Sequence, residues 1–260
     1  MENNIIACFR THYSLGRSTL TLDKYDSKIP EIKENAPVSI CAIAKKHSLK
    51  EVFLIDSSFS GFIEAYENLS EIDVQLRFGV KLVVCDDINK KDDGSRVNES
   101  KLIVFLKNSN AYKDAIKIYS KAATDGFYYY PRIDWNHLKA LWTENLLLAF
   151  PFYDSFLHNN LLTYKCSIVP DWGQIKPAFF VCDHSLPFDG LIKDAVNEYT
   201  RQNGLEVIKG HNVYYYSSSD YSSYVVFRCI NNRSTLNKPD LEFFTSSDFS
   251  FESYLGKTNG

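Results

Sequence analysis

Six histidines and six cysteines are the side chains of this 260-residue chain best suited to nucleophilic, acid–base or metal chemistry. Cys8, Cys41, Cys85, Cys166, Cys182 and Cys229 are scattered with no CxxC spacing, and several sit in apolar runs such as VVC and FFVC. That pattern predicts reduced thiols buried as small hydrophobes, because disulfide frameworks belong mainly to small secreted domains. His47 and His137 fall on helical patterns and read as surface or boundary residues. His158 has no partner visible in sequence, and His211 lies near the last strand, where it could add to a pocket. Walker A, GxGxxG, GxSxG and HExxH motifs are all missing, which sets aside the nucleotide, hydrolase and zinc-protease chemistries they carry. Ser14-Leu15-Gly16-Arg17-Ser18 has the form of a turn that cradles phosphate. The runs Tyr128–Tyr130 and Tyr214–Tyr216 can stack on bases or pack at strand ends with the hydroxyl in water. A net charge of -3 argues against a dedicated nucleic-acid surface and leaves room for a basic cleft.

Those residues need a scaffold, and short β-branched runs alternating with helical patterns supply one. Ile5–Thr11, Val52–Asp56, Val80–Cys85, Leu102–Leu106, Leu146–Phe150 and Ala178–Cys182 read as strands, with Val207 and Val213–Tyr215 marking the last. Helices are predicted over Val38–His47, Gly61–Leu69 and Ala111–Ala122, the last with Asn110 as its cap. Further helices run from an Asp134 cap through Trp142 and over Phe188–Gln202 up to the stop at Gly204, and Ser218–Cys229 reads as a final helix or turn. Strand, helix, strand at this spacing predicts parallel strands with crossover helices. Asn89–Ser100 is polar and charged, a solvated loop. From Asn231 the periodicity is lost. The chain therefore divides into a barrel domain, 1–230, and a C-terminal tail, 231–260, whose Phe243, Phe244, Phe249, Phe251 and Tyr254 are candidate anchors for docking to a partner. With no signal peptide at Met1 and no apolar run near the ~20 residues that span a bilayer, a cytoplasmic protein with no membrane association is expected.

One stretch is more specific than any of this. AATDGFYYYPRID, Ala122 to Asp134, resembles the "(A/T)EGFYYKPRID" segment of the PHP (polymerase and histidinol phosphatase) domain that opens bacterial family C DNA polymerase III alpha subunits. KLIVFLKNSNAYKDAIKIYSKA, starting at Lys101, resembles the family's "HLTLLAKNxxGYxNLxKLxS" and lies at the expected distance before it. The resemblance spans about residues 5 to 230. It implies an α/β fold, a distorted (β/α)7 PHP barrel, followed here by an irregular C-terminal tail. In that family, His, Asp, Glu and Cys side chains at the strand ends hold up to three divalent metals.

Carried over position by position, the family's ligand set is only partly present. Its HxH reads Arg10-Thr11-His12, so His12 is kept and Arg10, a fixed cation, replaces the first histidine. Its TDHG reads Ile55-Asp56-Ser57-Ser58, keeping Asp56 and substituting Ser57. The glutamate of "IIGCE" becomes Asp87, beside Asp86. The histidine opening "HLTLL" becomes Lys101, the cysteine of "LSGC" becomes Phe152 with Asp154 close behind, and the late "ELQxH" histidine matches His184. "NDVHY" becomes Asn212-Val213-Tyr214, so Asn212 and Tyr214 replace two more ligands. Whether Asp154, Asp183 or His211 rebuilds a site is left open. A trinuclear cluster needs more neutralisation than His12, Asp56, Asp87 and His184 supply, since uncompensated buried charge is costly. The expectation is a salt-bridge cluster, with Arg10 and Lys101 in the space of the cations and Arg10 paired to carboxylates. Ser14–Ser18 aligns with the family's "HSxYSxxDG" loop, which competes with its phosphate reading.

The resemblance therefore implies an accessory domain or subunit of a family C DNA polymerase. It would be catalytically silent, with a degenerate metal site and no cofactor, and would serve as an interaction module in replication. Its expected partners are a polymerase catalytic polypeptide on a separate chain and a proofreading exonuclease, with DNA touched only indirectly. A compact chain that ends where the polymerase palm would follow suggests a free-standing, phage-encoded form in the host cytoplasm. The alternative is a metal-dependent phosphoesterase or 3′–5′ exonuclease on a reduced site, in which His12, Asp56, Asp87 and His184 hold zinc or manganese. A stand-alone histidinol-phosphatase-like enzyme is a third reading, which the polymerase-type segment disfavours.

Overall fold

In chain order the secondary structure runs β1 (Ile6–Phe9), α1 (Ile40–Lys46), β2 (Glu51–Asp56), α2 (Phe62–Ser70), β3 (Gln75–Cys85), β4 (Ser100–Leu106), α3 (Ala111–Thr124), β5 (Arg132–Asp134) and α4 (Trp135–Leu141). It continues through β6 (Leu146–Phe150), α5 (Phe156–Leu162), β7 (Ala178–Val181), α6 (Asp189–Asn203), β8 (Glu206–Val213), α7 (Tyr221–Asn231) and α8 (Phe251–Thr258). This computed structural model describes residues 5–28, 36–162, 167, 169–237 and 245–258. The chain is mixed α/β, as expected, and divides into two compact units.

The first unit comprises Met1–Phe78, Cys182–Asp189 and Lys209–Gly260. Here β1 lies between β2 and the end of β8, parallel to both, with Phe9 opposite Leu54 on one side and Val213 on the other. Strands buried on both faces read as unbroken apolar runs, and IACF and FLI do so. Ser39 caps α1 by accepting from the Cys41 N–H at 3.1 Å, and Ile40, Cys41, Ile43 and Ala44 face inward. The expected irregular tail contains a 3-10 turn (Ser247–Phe249) and then α8. Phe249 O accepts from Tyr214 N–H at 2.9 Å, and Phe251 N–H donates to Tyr215 O at 3.0 Å. Ser250 between them is extended, which sets Phe249 and Phe251 two residues apart on a strand-like segment, and both are buried. A period of two over three residues is too short to be read from sequence. Of the five predicted anchors these two are therefore core residues, and Phe243 and Phe244 lie outside the described residues.

The second unit comprises Gly79–Val181 and Gly190–Ile208. Its sheet corrects the all-parallel expectation: β4 is antiparallel both to β3 and to β6, while β5 is parallel to β3 and β7 is parallel to β6. The physical reason is the connection. Asn89–Ser100 holds only a 3-10 turn, Gly94–Arg96, and without a crossover helix the chain returns antiparallel. Helix α3 starts as predicted, but Asn110 is already helical and makes no cap bond. Asn108 Oδ1 instead accepts from the N–H groups of Asn110 and Ala111 at 3.0 and 3.1 Å. Asp134 does cap α4, accepting from His137 N–H at 2.9 Å. Gly204 takes the left-handed φ of 62° that ends α6. The core is a cluster of Phe150, Phe156, Trp172, Phe179 and Tyr199, with Phe150 and Phe179 stacked at 4.9 Å.

Cys8, Cys41, Cys85, Cys182 and Cys229 are buried, and burial pushes the Cys8 and Cys85 thiols up to about 12. Cys166 lies outside the described residues. Among the described residues no helix is long and apolar enough to cross a membrane.

Candidate functional site

The end of β1 carries Arg10, Thr11 and His12. Asp56, at the end of β2, is fully buried. Its Oδ1 accepts from Thr11 N–H at 3.0 Å and from Ser14 Oγ at 2.7 Å, while Oδ2 accepts from Thr11 Oγ1 at 2.6 Å. Ser14 Oγ in turn accepts from Ser57 N–H at 3.1 Å. Charge-assisted bonds of this kind are the stronger class, so a carboxylate that could bind metal is tied to the segment that follows β1. The sequence gives no sign that Thr11 and Ser14 bond to Asp56, because hydroxyls flanking a histidine carry no spacing signal. Arg10 Nε donates to Ile55 O at 3.3 Å and its guanidinium lies 5.7 Å from the Tyr214 ring centre. The expected Arg10–carboxylate pair does not form among the described residues. A backbone carbonyl and an aromatic face take its place. The His12 backbone N–H donates to Leu20 O at 2.8 Å and its ring lies 4.4 Å from that of Tyr13. Its Nδ1 is buried with no hydrogen-bond partner among the described residues.

His184 follows β7 and is also fully buried. Its Nε2 accepts the Asn212 backbone N–H at 3.1 Å, and its Nδ1 faces Asp248 O at 3.4 Å. Those partners assign the neutral tautomer with hydrogen on Nδ1. The Phe249 ring covers the imidazole at 3.9 Å and 11°, and Phe249 stacks at 5.0 Å and 8° on Tyr214. His211 lies 4.5 Å from His184, with its Nε2 3.3 Å from Ser250 O. Burial, reinforced by His211, holds the His184 imidazolium form well below its ordinary range. Burial, then Lys257, lowers His211 to about 4. Asp183 is exposed and caps its own turn, accepting from Ser185 N–H at 3.1 Å. Asn212 also directs Nδ2 at Cys182 Sγ, 3.8 Å away.

In the second unit Lys101 does find a carboxylate: its Nζ is 2.9 Å from Asp154 Oδ2, with Lys81 Nζ at 3.5 Å. The pair is fixed by a backbone bond, Lys101 N–H to Asp154 O at 2.8 Å. Asp87 Oδ1 accepts from both the N–H and Nδ2 of Asn89 at 2.9 Å, closing a loop turn. Phe152 is buried edge-on to Tyr153 at 4.9 Å. Among the described residues no group of three or more His, Cys, Asp or Glu side chains is placed to hold a metal ion.

The segment Gly126–Asp134 has structural work of its own. The Arg132 guanidinium is fully buried, with Nη1 3.2 Å from Glu99 Oε1 and also donating to Ser95 Oγ at 3.2 Å. Its Nη2 donates to Lys90 O at 2.9 Å and its Nε to Gly126 O at 3.2 Å, and Tyr130 donates its hydroxyl to Glu99. One arginine thus ties down the loop expected to be merely solvated. Asp134 Oδ2 accepts from Ile88 N–H at 3.2 Å while Oδ1 caps α4.

The class the structure defines is an α/β scaffold with polar side chains at or just beyond strand ends. The chain belongs to the PHP domain family, whose model matches residues 9–165. It is similar to the DNA polymerase III subunit alpha of Thermus aquaticus, 22% identical over 198 residues that make up 73% of this chain and 16% of that protein. It is likewise similar to that of Borreliella burgdorferi, 24% identical over 209 residues, 74% of this chain and 17% of the other. For that of Treponema pallidum the identity is 24% over 160 residues, 58% and 14%. The chain spans about a sixth of the length of the first two curated relatives.

Proposed function

We propose that the chain is a PHP-type accessory module of a family C DNA polymerase. It works through structure and interaction in DNA replication, without a catalytic metal cluster. The observation that carries this reading is the use of ligating atoms for internal bonds. Both nitrogens of His184 face backbone partners, and both oxygens of Asp56 accept from Thr11 and Ser14. Recruiting Asp56 to a metal would give up hydrogen bonds to a charged group worth about 1.5–3 kcal/mol each. Lys101 and Asp154 already neutralise one another where the family places a ligand. The similarity to polymerase alpha subunits supports the replication context, and the partner is a polymerase catalytic polypeptide. Size-exclusion chromatography of the chain mixed with such a polypeptide tests this: co-elution is expected, and separate elution at micromolar concentration counts against it.

The second reading, a metal-dependent phosphoesterase or 3′–5′ exonuclease with zinc or manganese, draws on one observation: the buried Nδ1 of His12, which has no hydrogen-bond partner among the described residues. It requires manganese-stimulated hydrolysis of a phosphodiester that is lost in His12→Ala.

A further inference from the structure

In the second unit Tyr128, Tyr129 and Tyr130 form a tight loop, pinched by a backbone bond from Tyr128 N–H to Tyr130 O at 3.2 Å. The outer two tyrosines are anchored. Tyr130 donates its hydroxyl to Glu99, and the Tyr128 ring centre lies 5.0 Å from the guanidinium of Arg132, which is itself paired to Glu99. The middle ring is displayed. Tyr129 sits at φ 64°, a left-handed conformation that bulky residues rarely adopt, and it remains 66% exposed. Tyr128 meets it edge-on at 4.7 Å and 72°. Backbone of this kind persists where the surroundings fix it, and it gathers at binding sites.

Arg96, at the end of the 3-10 turn Gly94–Arg96, packs on this loop. Its guanidinium lies 4.8 Å from the Tyr129 ring centre and 5.6 Å from that of Tyr130, and its Nε donates to the Tyr130 hydroxyl at 3.4 Å. Arg96 is exposed too, so one ring and one cation share a surface. The connector that carries it holds Lys90, Lys91 and Arg96 against Asp92 and Asp93, and Asp92 is engaged by the Ser95 N–H at 2.7 Å. We propose that Tyr129 and Arg96 form a stacking platform for a base of single-stranded nucleic acid. The ring or the guanidinium plane offers a face to the base, and the charge stays within reach of the attached phosphate. Stacking tolerates any base and needs no broad basic field, so a net charge of -3 does not oppose it. The platform gives the chain a direct contact with a strand, which goes beyond the polymerase reading. That reading can fail while the platform stands.

The test uses the full chain and three fluorescent probes of equal length, read by anisotropy across a salt series: oligothymidylate, oligouridylate and an abasic strand. At least one of the two base-bearing strands is expected to bind, and the tighter of them identifies DNA or RNA as the source. The abasic strand should bind about tenfold more weakly, because the stacking face is gone. Tyr129→Gly suits the left-handed backbone, so the fold is kept while binding falls about tenfold. Tyr129→Phe should bind as the parent does. Arg96→Gln should weaken binding and lower the salt slope by about 0.7. Absence of binding by both base-bearing strands overturns the proposal, as does binding that the abasic strand matches or that Tyr129→Gly, folded by circular dichroism, leaves unchanged. Loss of co-elution with a polymerase polypeptide in Tyr129→Gly, without any strand binding in the parent, overturns it in favour of a protein contact.

Discussion

Arg132 and Glu99 form a buried ion pair, Nη1 to Oε1 at 3.2 Å, with side-chain exposures of 0% and 8%. The pair joins the segment before α4 to the loop before β4. Removing one partner of a buried pair leaves the other charge uncompensated, which costs about 3–5 kcal/mol. Glu99→Ala is expected to lower unfolding free energy by that order in urea denaturation, and Glu99→Gln by less. A change within experimental error would mean that Arg132 is satisfied without its carboxylate.

Gly126 has a similar role by shape. An added Cβ would lie 1.9 Å from the Arg132 carbonyl oxygen, which is backbone and cannot swing aside. Gly126→Ala should therefore destabilise by about 1–3 kcal/mol or more, as overpacking does, read as a lower thermal midpoint.

Phe249 tests whether the tail belongs to the first unit. Its ring fills the space between His184 and Tyr214, so Phe249→Ala opens a cavity and should cost about 3–5 kcal/mol. Unchanged stability with lost partner binding would restore the tail as a docking segment.

The buried imidazoles set a pH window. Unfolded histidines take up protons near 6.5, whereas His211 resists until about 4 and His184 is also lowered. Between those values the unfolded state binds more protons, so stability is full above pH 6.5 and falls as pH drops toward 4. The slope is at most about 1.4 kcal/mol per pH unit for each histidine. Urea titrations at pH 7, 6 and 5 should show the decline, and a folded His211→Asn variant should flatten it.

Locally encoded features were legible in the sequence. Leu146–Phe150 appears as the strand it spells, Asp134 caps its helix, and Gly204 ends α6, because each depends on residues within one turn. Features decided by distant partners were not. The reversal of β4 follows from a connector without a helix, and Asn108 displaces Asn110 as the cap through backbone geometry. Among the candidate residues, sequence named His184 and Asp56, but the fold decides what each faces. The partners are a backbone N–H from β8, a carbonyl and a ring from the tail, and hydroxyls from Thr11 and Ser14. The Lys101–Asp154 pair is the part of the predicted salt-bridge cluster that forms.

On the function proposed above, the ligand positions serve the fold and hold no catalytic metal cluster. Elemental mass spectrometry of protein purified without chelators or a histidine tag tests it most directly. No stoichiometric zinc, manganese or iron is expected. One or more metal ions per chain would contradict it and make His12 and Asp56 the first residues to replace.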